Sequence, residues 1–248
     1  MADSRRISSD TAFFLSLCNA TLNSLANYYQ AMEDRLSEMK DGDCRRIMQQ
    51  LETLRLSSKD EYLAEYDVAM QQHDAVFNML FTNFFRFSYV VLLALVLEDW
   101  MGKLCRAAFE IRNLTAKPPV PKGNTIGRYR SYLKGKAKIT VSDDLWENAR
   151  DLYIVRNCIV HDSGNVSRSR YRSRIEDLRL RTHGLEISNG SRDSDALLPL
   201  YLQDHMLLLQ PIFCETATAN VKKLFNELCA RIPLNEFQFQ FTDGRTEK

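Results

Sequence analysis

The sequence predicts an all-α fold: a helical bundle with an N-terminal helical extension, and room for one small β-hairpin near residues 185–200. Three observations predict it. Nine glycines and six prolines among 248 residues punctuate the chain too rarely for a strand-and-turn protein. Apolar residues recur at steps of three and four over most of the length, the period of a helix face. Hydrophobic residues make up 45% and charged residues 26%, a balance that builds a sizeable core and is unlike that of a disordered chain.

The first helix is expected over residues 10–39, where Leu15, Cys18, Leu22, Leu25, Tyr29, Met32, Leu36 and Met39 alternate steps of three and four. Both a long core helix and a dimerisation arm use such a seam. Asp41-Gly42 predicts its stop, and Ile47, Leu51 and Leu54 predict a separate short amphipathic helix over 43–56. The expected organisation is therefore an extension over 1–57, a helical domain over 58–232 and a tail over 233–248. Ser58 and Glu61 have the spacing of a capping box. The helix behind them runs through Leu63, Tyr66, Met70, Phe77 and Leu80, and either continues towards Gly102 or breaks between Asn78 and Asn83. Phe84 to Arg112 reads as the central buried helix. Its apolar run, Phe87 to Leu97, falls well short of the ~18 residues of a membrane span.

Pro118, Pro119, Pro121, Gly123 and Gly127 argue against regular structure over 114–127. A turn or two of helix is expected over Ile126–Leu133, within a basic stretch that carries Arg128, Arg130, Lys134, Lys136 and Lys138. Ser142-Asp143-Asp144 then caps a helix over about 143–161, with acidic side chains at its positive end. Leu152, Val155, Ile159 and Val160 supply its buried stripe, and Gly164 its left-handed stop. Residues 162–184 read as a polar, arginine-rich loop. The hairpin would pair Leu185–Ile187, through Asn189-Gly190, with Leu197–Leu200. A last helix is expected from Gln203 to Cys229, kinked near Pro211, and Phe237, Phe239 and Phe241 alternate as in a short strand.

Formal net charge is +1, so a nucleic-acid partner would have to be held by local patches. The six cysteines (18, 44, 105, 158, 214 and 229) form no C-x-x-C pair, which predicts free thiols in a reducing, cytoplasmic setting. Met1-Ala-Asp-Ser-Arg-Arg6 opens no apolar leader. Histidines 73, 161, 183 and 205 lack zinc-ligand spacing, so no metal and no cofactor is expected.

The chemistry-bearing stretch is Asp151-Leu-Tyr-Ile-Val-Arg-Asn-Cys-Ile-Val-His161 with Asp162-Ser163-Gly164 behind it. Arg156 and His161 are five residues apart, about 7.5 Å along a helix axis. His161 falls in the last turn, at the negative end of the helix dipole. An arginine fork grips two phosphate oxygens at once, and histidine is the side chain suited to both proton uptake and release near neutral pH. A buried salt-bridge arginine and a helix-capping histidine with no chemistry would use the same residues. Cys158, between apolar neighbours, reads as packing.

Arg156-Asn157-x-x-x-His161, extended to Gly164 as R-N-x-x-V-H-x-x-G, resembles the R-polar-x3-H motif of the HEPN superfamily. The resemblance covers about residues 60–230. It implies an all-helical, HEPN-like bundle and a metal-independent endoribonuclease of toxin, phage-defence or stress systems. It also implies a homodimer joined through the motif helices, so that two copies of Arg156 and His161 face one cleft. Attack by the 2′-hydroxyl of RNA would leave a 2′,3′-cyclic phosphate. Asn157 stands at the family's polar position, where it would orient His161 or the phosphate by hydrogen bonding. Glu98 matches an acidic residue on a preceding helix that positions the arginine, and reads equally as a surface charge. The arginine-rich loop is either a solvated run or a funnel for RNA in which Arg168, Arg170, Arg172 and Arg174 meet phosphates and Tyr171 stacks on a base. Other members of the superfamily bind a nucleotide, RNA or a protein partner without cutting. Some carry a tyrosine two residues after the histidine that a partner antitoxin modifies. Ser163 stands there in this chain, which leaves a different regulatory partner as the expectation.

Overall fold

The computed structural model describes residues 7–54, 58–120, 125–188 and 205–232. They form an all-α fold with one small antiparallel strand pair: α1 (Ile7–Thr53), α2 (Lys59–Asp74), a π-helical segment (Ala75–Phe81), α3 (Thr82–Ile111), α4 (Thr125–Gly135), α5 (Asp143–Asp162), a 3-10 turn (Val166–Arg168), α6 (Arg172–Arg181), β1 (Leu185–Ile187), β2 (Leu207–Leu209) and α7 (Pro211–Cys229). Among the described residues no helix is long and apolar enough to cross a membrane. The expected strand at 237–241 lies outside the described residues.

Contacts divide the chain into two compact units. The first takes the described parts of Met1–Leu22, Val96–Arg150 and Asn220–Lys248; the second takes Asn23–Leu95 and Asp151–Ala219. The first unit is built on Leu97, Met101, Leu104 and Cys105 of α3, Leu133 of α4, and Leu224, Phe225 and Leu228 of α7, all buried. Phe14 of α1 meets Trp100 edge-on, ring centres 5.0 Å apart. Behind α4, the Ile139 amide returns to the Leu133 carbonyl at 2.8 Å and the Tyr132 hydroxyl donates to the Ala116 carbonyl at 2.9 Å, pinning the proline-bearing stretch.

In the second unit α1 and α3 are joined by aromatic and ionic contacts. Tyr29 stacks on Phe85 and leans on Tyr89, and Arg86 grips both carboxylate oxygens of Glu33 at 2.7 and 2.9 Å. Arg86 donates further to the Leu209 carbonyl at 2.8 Å, so this half-buried ion pair also ties down β2. Buried Asn83 finishes that attachment: its amide donates to the Leu207 carbonyl at 2.9 Å and its oxygen accepts the Leu209 amide at 3.0 Å. The Tyr89 hydroxyl shares a 2.5 Å hydrogen bond with Thr218 of α7.

Four expectations are corrected. Helix α1 passes through Asp41-Gly42 without stopping and absorbs the separate helix expected over 43–56. A glycine inside a helix costs only about 1 kcal/mol. That is offset here by the contacts of α2, whose His73 Nε2 bonds the Lys40 carbonyl at 3.0 Å and whose Asp74 pairs with Lys40 at 3.3 Å. The seam itself is buried at Cys18, Leu22 and Tyr29 but exposed at Met39.

The arginine-rich stretch expected as a loop is mostly the 3-10 turn and α6. Two buried residues three apart, Ile175 and Leu178, give it an inner face that the surrounding arginines obscure in the sequence. The partner of β1 is Leu207–Leu209, in register Leu185 with Leu209, where the last helix had been expected; the proposed partner 197–200 lies outside the described residues. Helix α7 accordingly begins at Pro211, which supplies a helical φ and needs no amide donor at that position, and is not kinked by it.

The alternative of a break near 78–83 resolves as the π-helical segment, closed by the Thr82 amide and the Thr82 hydroxyl on the Phe77 carbonyl. The Ser58 cap accepts the Glu61 amide at 3.2 Å as expected.

Candidate functional site

The motif lies in the C-terminal half of α5, within the second unit. Leu152, Val155 and Cys158 form its buried face; Val160, expected in that stripe, is 45% exposed. Tyr153, buried one residue from Leu152, sends its hydroxyl to the Ala94 carbonyl of α3 at 3.3 Å. Val160 is two turns beyond Tyr153 on the same side of the helix, near its exposed end.

The helix ends by two consecutive left-handed residues, Ser163 (φ 54°) and Gly164 (φ 79°). The Gly164 amide reaches back to the Cys158 carbonyl at 3.0 Å, the long bond of a Schellman-type stop. Gly164 also sits against Phe87: a Cβ there would lie 2.6 Å from the ring. Its carbonyl accepts the Leu207 amide at 2.8 Å, and the Val166 amide donates to the His205 carbonyl at 2.8 Å. Asn165, buried, accepts from Ser167 Oγ at 2.6 Å and the Arg168 amide at 3.3 Å. The last turn of α5 thus stands on a fully bonded strap. The sequence shows the glycine stop; it does not show that residues 205–207, forty positions on, hold it.

His161 is exposed in that last turn and, among the described residues, has no hydrogen-bonded or ionic partner. Arg156 is half-buried, and its Nη1 donates to Asn157 Oδ1 at 2.9 Å. Among the described residues no carboxylate pairs with it. Cys158 is fully buried and its thiol is pushed up to about 11, chiefly by burial, which is the packing role expected.

The remaining candidates are not all brought together with these. Glu98 belongs to the first unit, where its charge bears on Tyr129. Arg174 and Arg181 converge on Asp151, at 3.6 and 2.5 Å; Asp151 is 5% exposed, so these two cations are spent on an internal ion pair. Arg172 pairs with Glu176 at 2.8 Å. Arg170 donates to the Tyr171 hydroxyl at 2.6 Å and lies over its ring, covering the face expected to stack on a base. Arg168 keeps an exposed side chain on the 3-10 turn directly after the strap. Sequence reasoning missed a basic cleft in the first unit, lined in part by Arg128, Arg130, Lys134 and Arg150. The basic run over 128–138 was its only sequence signal. Among the described residues no group of three or more His, Cys, Asp or Glu side chains is placed to hold a metal ion.

In comparison with known proteins, no family model, no curated protein and no solved structure matches the chain.

Proposed function

We propose that the chain is a metal-independent endoribonuclease of the HEPN type that acts as a homodimer in the cytoplasm, in a toxin, phage-defence or stress response. The single observation that carries the reading is the state of Arg156. It is a half-buried arginine on a rigid helix, oriented by a neutral amide and left without a carboxylate among the described residues. A guanidinium in that state has its charge available for an anion. Exposed His161 stands on the following turn and a half of the same helix, where an imidazole takes or gives a proton.

One arginine and one histidine supply half of what the reaction needs. A base takes the proton of the 2′-hydroxyl as its oxygen attacks phosphorus, cations hold the non-bridging oxygens, and an acid protonates the departing 5′-oxygen. Two copies of the site supply both the base and the acid. The dimer is supported by an exposed apolar stripe on α3, made by Phe84, Leu92 and Leu95, on the helix that packs against α5. Exposed large apolar side chains on one side of a helix offer surface for such an interface.

The test is cleavage of total RNA or tRNA by purified protein in EDTA. Wild type should cut and leave 2′,3′-cyclic phosphate ends, and Arg156→Ala and His161→Ala should each lose about a hundredfold or more in rate. No cutting by a folded wild-type dimer, or equal cutting by the variants, would sink the proposal.

A further inference from the structure

We infer that the seam between α1 and α2, within the second unit, binds a soft monovalent metal ion, copper(I), through Cys44, Met70 and His73. Cys44 Sγ lies 3.9 Å from Met70 Sδ, and both residues are half-buried, so an ion can reach them from solvent. Thiolate and thioether are the donors that select copper(I). A cysteine sulfur stands about 2.3 Å from a metal ion such as zinc. Two sulfurs 3.9 Å apart both meet that distance when the ion lies between them at an S–metal–S angle of about 115°. That angle leaves room for a third donor in the same plane, the geometry of a trigonal site.

His73 supplies that third donor. Its side chain is 1% exposed, and its Nε2 donates to the Lys40 carbonyl at 3.0 Å, which fixes the ring proton on Nε2. Nδ1 therefore carries a lone pair, and among the described residues it has no hydrogen-bond partner. An imidazole whose other nitrogen donates to a backbone carbonyl is the form in which histidine ligates metals. The Lys40 carbonyl is also the helical acceptor for the Cys44 amide, four residues on, so the ring is anchored at the turn that carries Cys44. Met70 lies one turn before His73 on the same side of α2. Asp74 Oδ1, 3.7 Å from Nδ1, is beyond hydrogen-bonding distance, and that half-exposed carboxylate pairs with Lys40. Zinc fits the site less well, because it takes four donors and its ligands are cysteine, histidine and carboxylates. Only two of these three donors are of those types, and no group of three or more such side chains is placed together among the described residues. Binding releases the Cys44 thiol proton and ties α1 to α2 through the ion.

The test is a titration of the full chain with copper(I) under reductant, in competition with the chromogenic chelator bicinchoninate. Wild type should take up one equivalent. X-ray absorption of the loaded protein should show two sulfurs at about 2.3 Å and one nitrogen at about 2.0 Å. Met70→Leu conserves volume and removes the thioether, so it should fold normally and weaken the ion about tenfold or more. Cys44→Ser should weaken it about a hundredfold or more, with unchanged circular dichroism. A His73 variant also loses the anchor on Lys40, so the nitrogen is read from the wild-type absorption spectrum instead. The bound ion should shield Cys44 from alkylation, and zinc should not. The inference is overturned if folded wild type takes no copper(I) from bicinchoninate, or if Met70→Leu and Cys44→Ser bind it as tightly as wild type. A spectrum with sulfur neighbours and no nitrogen would remove His73 from the site and overturn it too. Equal protection by zinc would overturn the assignment to a soft ion.

Discussion

The guanidinium of Arg156 is held by the side-chain oxygen of Asn157, 2.9 Å away, and the partner is the next residue in the chain. A neutral amide orients the arginine without taking up its charge. Arg181 shows the contrast in the same unit, bound at 2.5 Å to a buried carboxylate.

That relationship makes position 157 a two-way test of the proposed chemistry. Asn157→Ala should lower RNA cleavage about tenfold, through loss of orientation. Asn157→Asp puts a carboxylate on Arg156 and should lower it about a hundredfold, although the fold gains an ion pair. Comparing the two single-turnover rates, with thermal unfolding as a control, checks it; an aspartate variant as active as wild type contradicts the assigned role of Arg156.

The α3 stripe predicts the oligomeric state. Leu92→Glu with Leu95→Glu alters two exposed side chains, so the variant should fold normally. It should sediment as a monomer where wild type should sediment as the proposed dimer, and lose cleavage together with dimerisation. A dimer that survives the double substitution would place the interface elsewhere.

Gly164→Ala should destabilise the protein by about 2–4 kcal/mol, the sum of left-handed backbone strain and overpacking. The added methyl would meet two atoms of the Phe87 ring at 2.6 and 2.8 Å. Denaturant unfolding measures the loss. His161, three residues before it, should lose its fixed setting even where the variant remains folded.

Asp151→Ala removes the shared partner of Arg174 and Arg181. Both arginines are partly exposed and recover hydration, so the expected cost is about 1–2 kcal/mol rather than the larger cost of stranding a fully buried charge. A double-mutant cycle with Arg181→Ala should show coupling of about 0.5 kcal/mol or more, shrinking in high salt.

Alkali should unfold the protein steeply. Burial pushes the thiols of Cys18, Cys105, Cys214 and Cys229 up to about 12, from an ordinary value of 9.0. Between those values the unfolded chain releases protons that the folded chain keeps, so the folded state loses ground as pH rises above about 9. Each such thiol contributes a slope of about 1.4 kcal/mol per pH unit there. Circular dichroism from pH 8 to 11 should show this loss. At pH 8, before it begins, a thiol reagent should label half-buried Cys44 first and the five buried cysteines only in denaturant.

Local chemistry by itself determined the helical class, the Ser58 cap, the extent of α5 and the glycine stop behind His161. These depend on neighbours within one or two turns, so apolar period, caps and a left-handed residue are enough to specify them. The bond from Arg156 to Asn157 was not legible: the sequence offered Asn157 as a partner of His161 or of a phosphate, because adjacent side chains on a helix point to different sides. Tertiary structure decided the rest. Gly42 stays helical because α2 lies along that part of α1, with His73 bonded to the Lys40 carbonyl. Leu207–Leu209 become a strand because Asn83 and Arg86, more than a hundred positions earlier, satisfy their backbone. The arginines after the motif divide into spent and available according to a carboxylate at Asp151 and a ring at Tyr171. Each of these outcomes turns on a partner that sequence distance hides, and a backbone group or charge takes the state that its partner in space makes least costly.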